Sequence, residues 1–280
     1  MSNTISKYTA DGLPYVDTLD GPVVLGALPP DPKFSAGELF STSFNAIPTE
    51  QWTANSLRAT AIPMRNQKQF GSCAGQAVVT ALMIIRELRG LKKTILSATF
   101  IYGLCNGGRD GGSRVTDCVA TVQNTGTCLE SQVPWDVIYK TQFPQEAFTT
   151  AKRYKALEVY KLSSYEELCT ALILGFPCVS GIAVGKNFTM NQIASDGLAP
   201  LPDTIAGGHA MCHIGLKKLR NMWVIETQNS WGTTWGINGF CYLQKGHFNP
   251  NYGYGFDVYA IGSAIDDPED VSDDLHPIKK

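Results

Sequence analysis

Features that mark several other classes of protein are missing from this 280-residue sequence. Charged residues make up only 17% of it and the net charge is -2, so no basic surface for nucleic acid or an anionic membrane is expected. The first twelve residues are polar and lack the apolar core of a secretory signal. The longest apolar runs are far too short to span a bilayer. These absences predict a soluble cytoplasmic protein without nucleic-acid or membrane partners.

Metal-site spacing is also missing. The chain has eight cysteines, but none forms a C-x-x-C pair and no pair has zinc-finger spacing. We therefore expect no metal and no cofactor. Without a secretory signal, free thiols in a reducing compartment are the default, although an even count would permit disulfides after export by another route. Histidine is scarce, and the four histidines are His209, His213, His247 and His276.

Composition divides the chain into three parts. Residues 1–45 are rich in proline and glycine, which break long helices and strands, so they are expected to form an arm that is a pro-segment, a docking arm for a protein partner or a packed extension. Residues 46–265 form the expected domain. Residues 266–280 carry six acidic side chains and are expected to be a solvated tail.

Hydrophobic periodicity within residues 46–265 changes from helical to strand-like. Four helices are expected at 76–89, 97–102, 114–123 and 145–155, and a fifth at 164–174. Strands are expected at 157–162, 177–184, 209–216, 223–228, 239–243 and 257–261, with one short strand at 23–25. This order predicts an α+β fold with a helical lobe over about 64–155 and a β-rich lobe over about 156–265 together with 46–63.

One cysteine stands at the start of a predicted helix. After Cys73, apolar residues recur at helical spacing, Ser72 can cap the start, and Gly90 can end the helix. The free N–H groups and positive dipole end of a helix favour a thiolate, which is the reactive form of cysteine. Cys73 is therefore the candidate nucleophile.

A nucleophilic cysteine needs a base, and the base needs an orienting partner. His209 follows two glycines at the beginning of a predicted strand. Asn229 ends another strand and is followed by Ser-Trp-Gly. An Asn oxygen can accept a hydrogen bond from the imidazole, and Trp231 can shield that bond from water. The sequence thus supplies a thiol, a base and an orienting amide.

Three sequence blocks resemble the papain/cathepsin family of cysteine peptidases. They are Gln67 with Gly71-Ser72-Cys73, then Gly208-His209-Ala210, then the run Asn229-Ser-Trp-Gly-Thr-Thr-Trp-Gly-Ile-Asn-Gly-Phe240. The order Cys, His, Asn and the separations of 136 and 156 residues from Cys73 lie close to the family pattern. The resemblance extends over about residues 47–261 and is nearest to the microbial and viral branch. It implies a two-lobed fold with a helical left lobe, an antiparallel β-barrel-like right lobe and an active-site cleft between them.

The resemblance implies roles for individual residues. Cys73 would attack the peptide carbonyl, His209 would exchange the proton, and Asn229 would orient His209. The Gln67 side chain and the Cys73 N–H would form the oxyanion hole. On the substrate side, Gly111 and Gly112 would pair with substrate backbone, Gly208 would leave space for it, Ala210 would line the pocket for the second side chain before the cleaved bond, and Trp231 would cover the His–Asn contact.

The sequence also departs from the usual family pattern. Ala74 follows the nucleophile where the family has Trp or Tyr, and Phe70 stands where the family has a disulfide cysteine. No helical pro-region is recognisable in residues 1–45, and no occluding insertion is evident, which favours an endopeptidase acting on protein or peptide substrates. A viral source would also allow the virion or host cytoplasm as its location.

Other interpretations of the same residues were compared. Gly71-Ser-Cys-Ala-Gly75 also fits a cysteine version of the nucleophile elbow, which requires a preceding strand. His209 and His213 would share a face of a helix, but the H-E-x-x-H pattern is absent. Two further alternatives stay open at this stage: a papain-like structural or assembly module with weak or lost catalysis, and a Cys-His amidase that acts on cell-wall peptides.

Overall fold

The computed structural model of the protein describes residues 7–18, 21–60, 62–189, 191–254 and 256–265. The acidic tail predicted at 266–280 lies outside these ranges. The helices in the described ranges are α1 (Phe40–Ser43), α2 (Cys73–Leu88), α3 (Ala98–Cys105), α4 (Val115–Asn124), α5 (Gln145–Ala151), α6 (Tyr165–Ile173) and α7 (Lys186–Thr189). Single 3-10 turns occur at Thr49–Gln51, Arg58–Thr60, Lys140–Gln142, Lys245–Phe248 and Pro250–Tyr252. None of the described helices is long and apolar enough to cross a membrane.

The strands belong to two sheets. They are β1 (Lys7–Tyr8), β2 (Pro14–Thr18), β3 (Gly21–Val24), β4 (Glu38–Leu39), β5 (Asn55–Ser56), β6 (Val159–Leu162), β7 (Cys178–Gly185), β8 (Ile205–Leu219), β9 (Met222–Gln228), β10 (Phe240–Gln244) and β11 (Val258–Ile261). Strands β1, β2 and β3 form an antiparallel meander. The large sheet has the order β10-β9-β8-β7-β11-β6-β4, and β5 pairs with β8. Only the β4–β6 pair in this sheet is parallel.

Helix α2 lies where the helical and β-rich lobes meet. It packs against α3 and α4 on one side and against β8 on the other. This position explains why all but its last two residues are buried. Leu82 and Ile84 are completely buried, and burying a side chain of this size contributes about 1.5–3 kcal/mol. Gly90, two residues after the last helical residue, turns the chain away from the helix. Its φ of +74° is the left-handed conformation that glycine adopts without strain.

The secondary structure predicted from the sequence is confirmed in its main elements. The helix predicted at 76–89 is α2, and those at 97–102, 114–123, 145–155 and 164–174 are α3 to α6. Each predicted strand overlaps an observed one. The short strand at 23–25 overlaps β3, and the other six correspond in order to β6 through β11. Ser97 and Ser164 cap α3 and α6 by accepting hydrogen bonds from the N–H groups of Phe100 and Glu167. Ser72 directly precedes α2 at the N-cap position, but its side chain makes no capping hydrogen bond.

The chain before residue 46 has two structural parts. Residues 21–28, which we call the cleft segment, lie against the candidate active site. Strand β4 and α1 instead extend the β-rich lobe, where Phe40 is fully buried and stacks on Phe44 with ring centroids 4.8 Å apart. The arm predicted at 1–45 therefore contains one piece that lies in the cleft and another that belongs to the sheet.

Candidate active site

Cys73 is the first residue of α2 and is completely buried. Its thiol is within hydrogen-bonding reach of the backbone N–H groups of Ala210 and Gly26. These groups and the helix N-terminus favour a thiolate. Burial opposes them more strongly and raises the pKa of the Cys73 thiol to about 11. The thiol is therefore neutral while the cleft is closed to water.

His209 is fixed through one ring nitrogen and unpaired at the other. Its Nε2–H donates to Asn229 Oδ1 at 2.7 Å. The same Asn229 oxygen accepts the Ser230 N–H at 2.8 Å, which identifies it as the oxygen of the amide. His209 Nδ1 is buried and has no hydrogen-bond partner among the described residues. The N–H of the next residue, Ala210, contacts the Cys73 thiol, so the backbone places His209 close to the nucleophile. No hydrogen bond joins His209 Nδ1 to that thiol in this structure.

Aromatic rings cover the His209–Asn229 pair. The Trp231 ring stacks on the His209 imidazole with centroids 4.2 Å apart. Trp235 packs edge-on against Trp231 at 5.5 Å, and Phe188 packs against both tryptophans. Burial lowers the pKa of His209 to about 4, although its hydrogen bond to Asn229 acts in the opposite direction. This cover keeps water away from one face of the pair, and the complete burial of His209 keeps its imidazole neutral.

The Gln67 side chain is held so that its amide N–H₂ faces the cleft. Its Oε1 accepts the Ser230 hydroxyl at 2.7 Å, and its backbone N–H donates to the Ser230 carbonyl at 2.8 Å. Gln67 Nε2 donates to the carbonyl oxygens of Phe70 at 2.9 Å and Val24 at 3.2 Å. Gln67 therefore has a donor near the thiol, and a carbonyl of the cleft segment occupies it.

The cleft segment lies along the candidate active site as an added strand. Ser113 N–H donates to Gly26 O at 3.0 Å, and Leu28 N–H donates to Ser113 O at 3.1 Å, which is a parallel bridge. On the opposite side, Ala27 N–H donates to Gly208 O at 3.1 Å. The segment is thus held between the chain at Ser113 and the beginning of β8.

Gly26 occupies the narrowest point of this passage. A Cβ atom on Gly26 would overlap the backbone of Gly71, and one on Gly112 would overlap the Gly26 carbonyl. Gly112 also has a φ of +79°. The close approach of three backbones therefore requires glycine on both sides, which explains part of the glycine-rich sequence from 107 to 112.

Of the residues predicted to bind substrate backbone, Gly208 pairs with the cleft segment and Gly112 only approaches it closely. Gly112 N–H donates to Tyr102 Oη at 3.1 Å, so Ser113 provides the pairing groups. Gly111 is half-buried beside the Arg109 side chain. Gly208 and Ala210 lie on β8, and Gly208 contacts Ala27 as described. The pairing of substrate with Gly111 and Gly112 stays a prediction.

A buried Tyr–Asp pair connects the loop that precedes Cys73 to Gly112. Tyr102 Oη donates to Asp110 Oδ1, and Gly71 N–H donates to the same oxygen at 2.9 Å. Burial raises the pKa of Asp110, while these two hydrogen bonds lower it. Nearby, the Phe70 ring packs against Trp135 at 5.9 Å. All eight cysteines are free thiols, so no disulfide joins the loop before Cys73 to the loop at Gly112. The hydrogen-bonded pair connects these two loops instead.

Sequence reasoning missed Ser113, Tyr102 and Asp110. The glycine cluster at 107–112 drew attention to the neighbourhood of Ser113, but no local pattern identified Tyr102. His213 is a buried strand residue that bonds Ser180 Oγ at 2.7 Å and Thr227 Oγ1 at 3.0 Å. In the part of the chain that the structure describes, no group of three or more His, Cys, Asp or Glu residues could hold a metal ion.

The alternative nucleophile elbow does not fit this fold. That motif requires a strand directly before the nucleophile. Residues 62–72 contain only an isolated bridge at Asn66 and turns before Cys73 begins α2. The interpretation of His209 and His213 as helical metal ligands is also wrong, because both residues are on strand β8.

Comparison with known proteins gives consistent matches. The model of the family described as papain family cysteine protease matches residues 49–257. An uncharacterized peptidase C1-like protein of Acanthamoeba polyphaga mimivirus is 26% identical over 240 residues, which cover 75% of this chain and 74% of that protein. Cathepsin O of Mus musculus is 25% identical over 197 residues, covering 66% and 59% of the two chains.

Solved structures share the fold. Xylellain, a cysteine protease from Xylella fastidiosa, has a TM-score of 0.65 at 21% identity, covering 85% of this chain and 96% of its own. Procathepsin B from Trypanosoma congolense has a TM-score of 0.64 at 15% identity, with coverage of 86% and 87%. The two-lobed α+β fold expected from the sequence is thereby confirmed. With the family model matching most of the chain, the protein belongs to the papain family of cysteine proteases.

Proposed function

We propose that the protein is a thiol endopeptidase that acts through a Cys73 thiolate and a His209 imidazolium. The observation that carries this proposal is the His209 ring, which is fixed by Asn229 at Nε2 and unpaired at Nδ1. The adjoining Ala210 N–H contacts the Cys73 thiol at a helix N-terminus. A base that is oriented through one nitrogen and available at the other suits proton exchange with a nucleophile.

The chemistry follows from these positions. Nδ1 of His209 takes the thiol proton, and Cys73 Sγ attacks the peptide carbonyl carbon. The negative oxygen is stabilised by Gln67 Nε2 and the Cys73 N–H. The C–N bond then breaks, and the imidazolium gives its proton to the leaving amine. Water, deprotonated by His209, hydrolyses the thioester and restores the Cys73 thiol.

We further propose that the cleft segment is a pro-segment that keeps this chemistry latent. The carbonyl of Val24 accepts from Gln67 Nε2, so the oxyanion donor is occupied. The Gly26 N–H of the segment also contacts the Cys73 thiol. The segment thus covers both the nucleophile and the oxyanion donor, which supports an inhibitory role.

Removal of the cleft segment reverses the effect of burial. Water reaches Cys73 and His209, so the pKa of the thiol falls and that of the imidazole rises. Both shifts favour the thiolate–imidazolium pair. We propose peptide or protein chains as substrates and internal bonds as the cleaved ones, because the described loops around the cleft include no long insertion that closes one end.

The test compares a chain of residues 30–280 with its Cys73→Ala and Cys105→Ala variants on a denatured protein. The proposal predicts cleavage at internal bonds, loss of at least about 10³-fold in rate for Cys73→Ala, and little change for Cys105→Ala. An epoxysuccinyl reagent should add once, at Cys73.

Other results would select other functions. Equal rates for Cys73→Ala and the parent would overturn the proposal. An assembly module would show no turnover of any substrate, and a cell-wall amidase would cleave peptidoglycan peptides while leaving denatured protein intact.

A further inference from the structure

A surface groove of about 570 Å³ lies beside the C-terminal end of α2, and we call it the basic groove. Its lining includes Lys92, Lys93 and Tyr154. The chain on both sides of it is rich in cations. Residues 86–93 contain four Arg or Lys and one Glu, and residues 152–155 contain three Arg or Lys and no acid. This local excess of positive charge favours an anionic occupant.

The acidic side chains at the basic groove already face cations. Glu130 Oε2 lies 2.8 Å from Arg65 Nη2, and Glu87 Oε2 lies 3.3 Å from Lys93 Nζ. Lys92 is exposed and has no ion pair with a described acid. Two acids therefore leave the surface with a net positive charge, and the occupant that it fits carries several negative charges.

The last residue that the structure describes, Ile265, lies next to the basic groove. Its N–H donates to the Lys155 carbonyl at 3.0 Å, and its own carbonyl accepts from Arg86 Nη1 at 3.3 Å. The Arg86 guanidinium in turn lies 4.7 Å from the centre of the Tyr154 ring, which lines the groove. One side chain therefore separates Ile265 from the groove wall.

The sequence that follows Ile265 has the charge that the basic groove fits. Residues 266–274 contain six Asp or Glu and no Lys or Arg. Nine residues can span up to about 30 Å when extended. Because this segment is tethered at the groove wall, its effective concentration there is high, and individually weak ion pairs can hold it.

We propose that residues 266–274 bind along the basic groove of their own chain, instead of forming the solvated tail that the sequence pattern indicates. Ile265 follows β11 of the β-rich lobe, whereas the groove residues belong to the helical lobe. The bound segment therefore connects the two lobes at the end of α2 that is remote from Cys73, because a helix of 16 residues is about 24 Å long. This inference does not depend on the proposed function.

The test treats the full chain with a carbodiimide, which joins a carboxylate directly to a lysine in contact with it, and locates the linked peptides by mass spectrometry. Lys140 and Lys218, two exposed lysines outside the groove, are the reference. Carboxylates of residues 266–274 should link to Lys92 or Lys93 at least about tenfold more often than to the reference lysines. This preference should disappear in 1 M salt, where the screening length falls to about 3 Å.

A charge-reversing variant tests the groove without removing a lysine. Arg89→Glu should lower the yield of links between residues 266–274 and the groove lysines about threefold or more, because it replaces an attraction by a repulsion. Arg109→Glu is the matched control, since Arg109 is an exposed arginine in the glycine-rich loop. It should leave the yield unchanged.

Three results would overturn the proposal. Residues 266–274 could link equally to all the exposed lysines. The preference for Lys92 and Lys93 could persist in 1 M salt and in Arg89→Glu. In a mixture of isotope-labelled and unlabelled chains, the links could join one labelled and one unlabelled peptide, which would mean that the basic groove binds the acidic segment of a second copy.

Discussion

In the proposed mechanism Gln67 provides the side-chain donor for the developing oxyanion, and its position depends on two hydrogen bonds to Ser230. In the chain of residues 30–280, we predict that Gln67→Ala lowers kcat about 10²–10³-fold, the usual effect of losing one oxyanion donor. Gln69→Ala is the control because Gln69 is a nearby exposed glutamine. Steady-state kinetics on one peptide measures the effect, and equal kcat values for the two variants would exclude Gln67 from the oxyanion hole.

His213 is a buried histidine that the proposed chemistry does not use. Burial lowers its pKa from 6.5 to about 3. The unfolded chain therefore binds a proton at this residue between pH 6.5 and 3, and the folded chain does not. As the pH falls through this window, the free energy of unfolding decreases by up to about 1.4 kcal/mol per pH unit for this group.

The variant His213→Gln tests the predicted decrease in the free energy of unfolding on acidification. The amide can keep the bonds to Ser180 and Thr227 but does not titrate. We predict that the free energy of unfolding of the variant, measured in urea at pH 7, 6, 5 and 4, falls less steeply on acidification than that of the parent. His209, whose pKa is about 4, retains a similar contribution in both chains. If the free energies of unfolding of the two chains fall equally with pH, His213 is not the group with the lowered pKa.

Residues with a local signature were identifiable from the sequence, and those without one were not. Cys73, His209 and Asn229 each lie in a short run that matches the family pattern, at a helix start, a strand start or a strand end. Ser113 becomes important only because folding brings it to the cleft segment. No one-dimensional pattern encodes that contact.

Among the elements, helix α3, the loop before α2 and the glycine-rich loop are joined by the Tyr102–Asp110 pair and the Gly71 N–H. We predict that Tyr102→Phe lowers the free energy of unfolding by about 1–3 kcal/mol, because Asp110 loses one of its two donors and the Gly112 N–H loses its acceptor. In the chain of residues 30–280 it should also raise KM, since Ser113 follows Gly112 directly.

Urea unfolding and peptide kinetics measure these two effects of Tyr102→Phe. Tyr139→Phe is the matched control, because Tyr139 is half-buried and outside this cluster. If the two variants are equally stable and have the same KM, the Tyr–Asp pair does not position the loop.

Long elements with strong periodicity were predictable, while short ones were not. Helix α2 and strands β7 and β9 differ from their predicted bounds by at most about three residues, within the usual uncertainty of element ends. Strands β4 and β5 have two residues each, too few for any periodicity. Their conformation comes from pairing with β6 and β8, so tertiary contacts define them.

At the scale of the whole molecule, the arm is divided between the cleft and the β-rich lobe. Phe40 is buried among aromatic rings, and β4 extends the large sheet. We predict that residues 46–280 are less stable than residues 30–280 by at least about 3 kcal/mol, the usual cost of losing one buried Phe side chain. Urea unfolding of the two chains measures the difference, and equal midpoints would mean that α1 and β4 contribute nothing to the fold.

The overall architecture was predictable because the helical and strand-like patterns are segregated along the chain and the cysteine, histidine and asparagine motifs agree with it. The path of residues 21–28 was not. Apart from the short strand predicted at 23–25, its proline and glycine content indicates only an irregular segment. The pairing with Ser113 and Gly208 involves backbone groups that every residue has.

The central claim is that Cys73 is a nucleophile covered by the cleft segment, and the alkylation rate of each thiol by iodoacetamide at pH 6 tests it most directly. In the full chain, Cys73 should react no faster than the other buried cysteines. In the chain of residues 30–280, Cys73 should react at least about tenfold faster than any of the other seven, because exposure restores the thiolate–imidazolium pair. A Cys73 rate that is the same in both chains, and equal to that of the other thiols, would contradict the account.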